Sequence, residues 1–315
     1  MIIFNALESI LSIIIMITVG CILTYKKWFD QKTAAIFTKV VCGLSLPCLM
    51  ISDIIGNLDK EKLTHLGKGV IIPFSSMAVT YLIAIVVSKL IKVRKGRIGT
   101  FRSMFFVSNS IFIGLPVNMA LFGNKSIPYV LIYYIANTTF FWTIGSYGIC
   151  ADGESNEGKH ANIFSKETLK RIFSAPLIGF IIAIILVIFN IHIPKFALDT
   201  CKYFGNLTTP LSMLFIGITL YSFKLDSLKI DKDMVFVLIG RFIVSPILIF
   251  ISAYYWPVPV LMKKVFVIQA AMPVMTNTAI VARNYNADYK YATVMTVITT
   301  ILSAVVIPIY MVILG

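Results

Sequence analysis

Nine residues carry the chemistry this sequence offers. Asn109, Gly114, Pro116 and Asn118 share one apolar run. Pro273, Thr276 and Asn277 share another, and Thr208 and Thr209 stand before Pro210 in a third. An asparagine amide donates two hydrogen bonds and accepts others without holding a permanent charge. A helix that restarts after a break presents orphan N–H groups and the positive end of its dipole. Together these donors suit a carboxylate-bearing solute. The plainer role for such residues is to join helices inside a bilayer by hydrogen bonds. That role fits Ser110, Ser212 and Thr278 best, whereas Asn109, Asn118 and Asn277, within seven residues of a proline, are the better candidates for ligand contact.

The elements that would position these groups are interrupted helices. Gly114-Leu115-Pro116-Val117-Asn118 and Ala271-Met272-Pro273-Val274-Met275-Thr276-Asn277 each place a proline beside small or polar residues in mid-run. Proline removes a backbone donor and clashes with the preceding turn, so both helices are expected to break there. Unpaired backbone at membrane depth is tolerated only where it is packed in protein or lines a wet cavity. Paired breaks in corresponding halves of a chain point to a substrate site.

Composition fixes the class. Of 315 residues, 58% are apolar and only 13% charged, against about 25% charged in a soluble domain. The expectation is an integral, multi-pass protein of the plasma membrane whose partners are the lipid bilayer and a small solute. The net charge of +14 reads as a topology signal in cytoplasmic loops rather than a nucleic-acid surface. Cys21, Cys42, Cys48, Cys150 and Cys201 are scattered and show neither metal-ligand nor disulfide spacing. His65, His160 and His192 fall at loops or span ends, and no phosphate-binding loop or nucleophile motif is present. No enzyme, metal site or cofactor is expected, while coupling to a Na⁺ or proton gradient or to the membrane potential stays open. Lys39 and Arg241 lie inside runs but near the expected inner face, where long basic side chains snorkel to the interface; the other option is a basic vestibule. Asp53 and Glu8 rank low as protonation sites, being away from the breaks. The 23 Phe and 14 Tyr are expected to face lipid or the interface.

A ruler of about 20 apolar residues per crossing gives ten spans, near 3–25, 34–56, 67–91, 101–122, 126–150, 171–189, 195–222, 233–256, 261–285 and 289–313. With both termini outside, eighteen of the 28 Lys and Arg fall in inside loops and eight in outside loops, the asymmetry expected of cytoplasmic loops. The halves echo each other. Leu44-Ser45-Leu46-Pro47 precedes Pro116 by 69 residues, Leu207-Thr208-Thr209-Pro210 precedes Pro273 by 63, and a lysine stands eight residues before Pro47 (Lys39) and before Pro210 (Lys202). Five spans per half make the repeats inverted. The expected organisation is a first repeat over 1–150, a cytoplasmic linker over 151–170 and a second repeat over 171–315. The fold class is all-α integral membrane, ten transmembrane helices with broken crossing helices four and nine.

These motifs resemble the auxin efflux carrier family, which holds plant PIN-formed auxin carriers and bacterial malate- or malonate-type permeases. The resemblance rests on Asn109-Ser110-Ile111-Phe112-Ile113-Gly114-Leu115-Pro116-Val117, and on Ala270-Ala271-Met272-Pro273 with Ala282-Arg283-Asn284-Tyr285-Asn286. Phe204-Gly205-Asn206-Leu207-Thr208-Thr209-Pro210-Leu211 with Ile216-Gly217-Ile218-Thr219-Leu220, and Leu44-Ser45-Leu46-Pro47, complete it in order along the chain. It implies two inverted five-helix repeats, helices four and nine crossing at their prolines beneath the substrate, and an elevator-like cycle. It also implies that Asn109 helps hold a substrate carboxylate. Where the family often has an asparagine beside a proline, this chain reads Ser174-Ala175-Pro176, and it lacks the plant carriers' long central loop. The expected function is secondary transport of small organic anions, carboxylates above all, with a homodimer as an open option. A sodium-coupled carrier resembling the bile-acid symporters is the alternative, and a non-transporting membrane receptor is the alternative of another class.

Overall fold

The computed structural model describes residues 2–57, 67, 69–153, 173–222 and 231–314. These residues form helices and no strands. Among the described residues, five helices are long and apolar enough to cross a membrane: Gln31–Gly56, Ile71–Leu90, Lys195–Tyr221, Lys232–Tyr254 and Tyr289–Leu314. Leu11–Tyr25 and Ala175–Ile188 are shorter apolar helices. The expected linker lies outside the described residues, apart from 151–153.

The chain divides into two compact units that interleave along the sequence. One gathers Met1–Lys68, Ile111–Leu131 and Phe173–Lys224; the other gathers Gly69–Ser110, Ile132–Ile172 and Leu225–Gly315. Each unit therefore draws on both halves of the chain, a division by packing that differs in kind from a division into repeats.

In the first unit, α1 (Ile2–Tyr25) lies along α11 (Thr208–Tyr221). The approach is close because Gly20 and Gly217 face each other's backbone. A Cβ on Gly20 would stand 2.8 Å from the Leu214 carbonyl oxygen, and one on Gly217 would collide with the Ile17 carbonyl. The Cys21 thiol donates to the Gly217 carbonyl at 3.2 Å. A capping box, with the Thr33 N–H on Asp30 Oδ1 at 2.8 Å, opens α2 (Gln31–Val40). A π-helical turn, Val41–Ser45, joins α2 to α3 (Leu46–Asn57). The turn sits just before Pro47, where the missing N–H leaves the ordinary helical ladder incomplete. α3 packs on α9 (Ala175–Ile188) and α10 (Lys195–Gly205) through Gly179 against Pro47 and Gly205 against Leu49.

The second unit holds α4 (Ile71–Leu90), α5 (Ile98–Phe106), most of α7 (Ile127–Phe140), and α8 (Ser146–Asp152). It also holds α12 (Lys232–Ile239), α13 (Ser245–Tyr254), α14 (Val260–Ala270), α15 (Asn277–Asn284) and α16 (Tyr289–Leu314). Its core is aromatic: Phe101, Phe105, Phe106, Tyr133, Phe141 and Phe266 are fully buried. The expectation that aromatics face lipid or the interface therefore fails for these six. A second π-helical turn, Gly240–Val244, precedes Pro246. The Phe242 carbonyl, which Pro246 cannot serve, accepts from the Tyr310 hydroxyl at 2.6 Å. A third, Phe141–Gly145, leads into α8.

One end of this unit is tied by charge. Arg97 pairs with Asp288 at 2.6 Å and Asp231 at 2.5 Å, stands 3.6 Å from Asp233, and stacks 4.1 Å over the Tyr291 ring. Burial opposes its charge, but the hydrogen bonds to Asp288 and Asp231 outweigh that and hold its pKa above the ordinary value. Beside it, Asp152 accepts from the Gly99 and Thr100 N–H groups at 2.9 and 2.6 Å, capping α5 from a distant part of the chain. Burial raises the Asp152 carboxyl pKa in spite of these bonds. At the opposite end Gly69 abuts the Met262 thioether, and the Lys263 ammonium donates to the Tyr254 carbonyl at 3.3 Å.

Candidate functional site

Two interruptions meet in the second unit, the first through its residues 107–110. After Phe106 the chain turns extended at Val107 (φ −95°, ψ 134°). α14 stops at Ala270, three residues before Pro273, as the steric clash of the proline ring requires. The two freed segments pass each other antiparallel: Ser108 bridges Val274, and the Asn109 N–H donates to the Pro273 carbonyl at 2.8 Å.

Buried backbone cannot be left unpaired, and side chains supply what the lost helical ladder does not. Asn137 accepts from the Ser108 N–H at 2.9 Å and donates to the Ser108 carbonyl at 2.8 Å and to Ser110 Oγ at 3.2 Å. Thr299 accepts from the Val274 N–H at 3.1 Å. Gln269 donates to the Ser110 carbonyl at 3.3 Å, and Arg241 to the Ala270 carbonyl at 2.7 Å. The crossing is thus held by one residue each from α7, α14, α16 and the Gly240–Val244 turn. Asn137 and Thr299 were not among the sequence candidates. The signal for Asn137 in the sequence is an amide in the middle of the apolar run 127–140, away from the prolines of the two interruptions.

Asn109 is almost fully buried, and its amide donates to Thr276 Oγ1 at 2.8 Å. Thr276 precedes α15, and half-buried Asn277 is that helix's first residue. Asn109, Pro273, Thr276 and Asn277 therefore meet around one crossing within one unit. The resulting cluster offers an amide, a hydroxyl and the N-terminus of an eight-residue helix, all neutral donors of the kind that orient a carboxylate.

The other five candidates belong to the first unit. Gly114 and Pro116 are buried in the first turn of α6 (Gly114–Phe122), and this corrects the expected place of the first interruption. The break lies at residues 107–113, and Gly114-Leu115-Pro116-Val117-Asn118 begins the helix that follows it. A proline in a first turn needs no N–H, since those donors have no partner in any helix, and its fixed φ favours initiation. The same holds for Thr208-Thr209-Pro210, the first three residues of α11. Asn118 is fully buried and donates its amide to the Gly114 carbonyl at 2.7 Å within its own helix, leaving Oδ1 without a partner. Thr208 is fully buried with an unpartnered hydroxyl, and Thr209 is half-buried.

Arg241 overturns the snorkelling expectation. The residue is 0% exposed; it lies in the π-helical turn, and its Nη2 donates to the last residue of α14. Lys39 is exposed.

A family profile described as membrane transport protein matches residues 5–311. The chain is 25% identical over 313 residues to an uncharacterized transporter of Methanocaldococcus jannaschii, with 96% of this chain and 97% of that one covered. It is also 25% identical over 319 residues to an uncharacterized transporter of Methanothermobacter thermautotrophicus, with both chains covered in full. With helices long and apolar enough to cross a membrane, the chain is a multi-pass membrane transporter and belongs to the membrane transport protein family, that of the auxin efflux carriers.

Proposed function

We propose that this transporter carries small organic anions with a carboxylate group across the plasma membrane by secondary, alternating-access transport. The observation that carries this reading is the antiparallel crossing of 107–110 and 272–275, with the Asn109 amide on Thr276 Oγ1 at the head of α15. Four side chains hold the opened backbone non-helical at the crossing, and in a membrane such backbone is tolerated where it lines a cavity that serves a substrate. In this reading Asn109, Thr276 and Asn277 orient the carboxylate, and Gly114, Pro116, Asn118, Thr208 and Thr209 are secondary candidates. The unit bearing the crossing is the moving part of an elevator-type cycle.

The ten-span, inverted-repeat map is the topology we propose with it. Arg97, Asp152, Asp231 and Asp288 come from the connections after spans three, five, seven and nine, and they converge at one end of their unit. Gly69 and Met262, at the outer starts of spans three and nine, meet at the other. Alternating spans require this segregation. Both termini then face outside and the 151–170 linker faces the cytoplasm.

The testing experiment is a thermal-shift screen of the purified chain against mono- and dicarboxylates, followed by flux in proteoliposomes. A ligand that binds the native state raises its apparent stability by mass action. Stabilisation by at least one carboxylate, and its uptake into vesicles, is expected; no stabilisation by any carboxylate removes the reading.

A further inference from the structure

The crossing is made of neutral dipoles, yet a permanent charge lies directly behind it. Arg241 is fully buried in the Gly240–Val244 turn and reaches the crossing through Nη2, which donates to the carbonyl of Ala270, the last residue of α14. Nε and Nη1 have no hydrogen-bond partner among the described residues. The described groups around it are uncharged: the Tyr133 hydroxyl lies against Arg241 and Ser108, Asn137 holds Ser108 and Ser110, and Gln269 keeps an unpartnered Oε1. Arg97, by contrast, stands among three carboxylates, Asp231, Asp233 and Asp288. A guanidinium does not give up its proton in a protein. A buried charge without a counter-charge is costly, and intramembrane ionisable residues are functional by default. The low-dielectric interior that makes the charge costly also extends its field.

We propose that Arg241 is the fixed counter-charge for the transported anion, acting as a positioning residue behind the crossing and selecting monovalent carboxylates. The proposal rests on the carboxylate reading above and adds the substrate's charge. The neutral donors of Asn109, Thr276 and α15 set the orientation of one carboxylate, and one guanidinium balances one negative charge. A second carboxylate would find no second cation there. Anion binding then needs no co-bound metal cation.

The test uses the full-length chain in detergent, titrated by thermal shift with butyrate, its neutral amide butyramide, and succinate, in choline and in sodium buffers. For the wild type we expect butyrate to bind more tightly than succinate and butyramide, with the same affinity in choline as in sodium. Arg241→Gln is expected to weaken butyrate by about 30-fold while leaving butyramide unchanged, since truncating one partner of a buried charge interaction costs at least that much. Arg241→Lys keeps the charge and is expected to retain most of the butyrate preference. A structural role alone would lower both ligands' affinities together and would not separate acid from amide. Butyrate affinity unchanged in Arg241→Gln overturns the proposal, as does a requirement for sodium or a preference for succinate in the wild type. Should Arg241→Gln not fold, the wild-type comparisons and Arg241→Lys decide it. If no carboxylate in the wider screen stabilises the wild type, it is the carboxylate reading itself that falls.

Discussion

At the scale of single residues, the crossing divides into groups that could face a ligand and groups that hold the backbone open. Asn137 belongs to the second kind. Replacing it with Ala removes partners of the Ser108 N–H and carbonyl in a fully buried place, and each orphaned group costs about 1–3 kcal/mol. Asn137→Ala should therefore lower the melting temperature markedly with or without ligand. A variant as stable as wild type would show that water or another side chain fills the role. Asn109 should behave differently. Its partner Thr276 is only half-buried and can turn to water, so Asn109→Ala should stay folded while losing carboxylate-induced stabilisation. Wild-type stabilisation in that variant would take Asn109 out of the site.

At the scale of elements, the two prolines that look equivalent in sequence do different work. Pro273 lies inside an interruption and Pro116 in the first turn of α6. Pro116→Ala should change stability by no more than about 1 kcal/mol and leave transport largely intact. Pro273→Ala restores an N–H and removes the clash that ends α14, so it should impair flux strongly at little cost in stability. Equal flux defects in the two variants would contradict this assignment. Helix approach gives a further check. Gly99 of α5 packs against Gly148 of α8 so closely that a Cβ would collide with the Gly148 carbonyl. Because the obstacle is backbone, Gly99→Ala should cost about 1–3 kcal/mol, read as a lowered melting temperature. A neutral outcome would mean that α5 and α8 slide apart freely.

For the whole molecule, the convergence of Arg97, Asp152, Asp231 and Asp288 is a statement about sidedness. In a cysteine-free background, single cysteines introduced at Lys95, Asp152 and Lys290 should all be labelled from one side of the membrane by an impermeant maleimide. One at Lys125 or Tyr255 should be labelled from the other. Labelling of Lys95 and Lys290 from opposite sides would break the ten-span map. The same cluster ties connections far apart in sequence, so its loss should loosen one end of the unit rather than the crossing.

Much of this was legible in the chain itself. Membrane class follows from hydropathy, because a bilayer imposes a length and a composition on whatever crosses it. The second interruption, at Ala271 to Thr276, was readable because proline acts on the backbone within a turn of itself. The family could be read from local motifs in order. What only the tertiary structure decided depends on partners distant in sequence. The first interruption falls at 107–113, ahead of its proline, because Asn137 and the strand-like contact with Val274 stabilise extended backbone there. Arg241 is held inward, in a π-helical turn ahead of Pro246, by a carbonyl at Ala270 that lies far from it in sequence. Hydropathy and proline spacing report on the solvent and on neighbouring residues; the fate of a buried charge or an open carbonyl is set by what the fold brings against it.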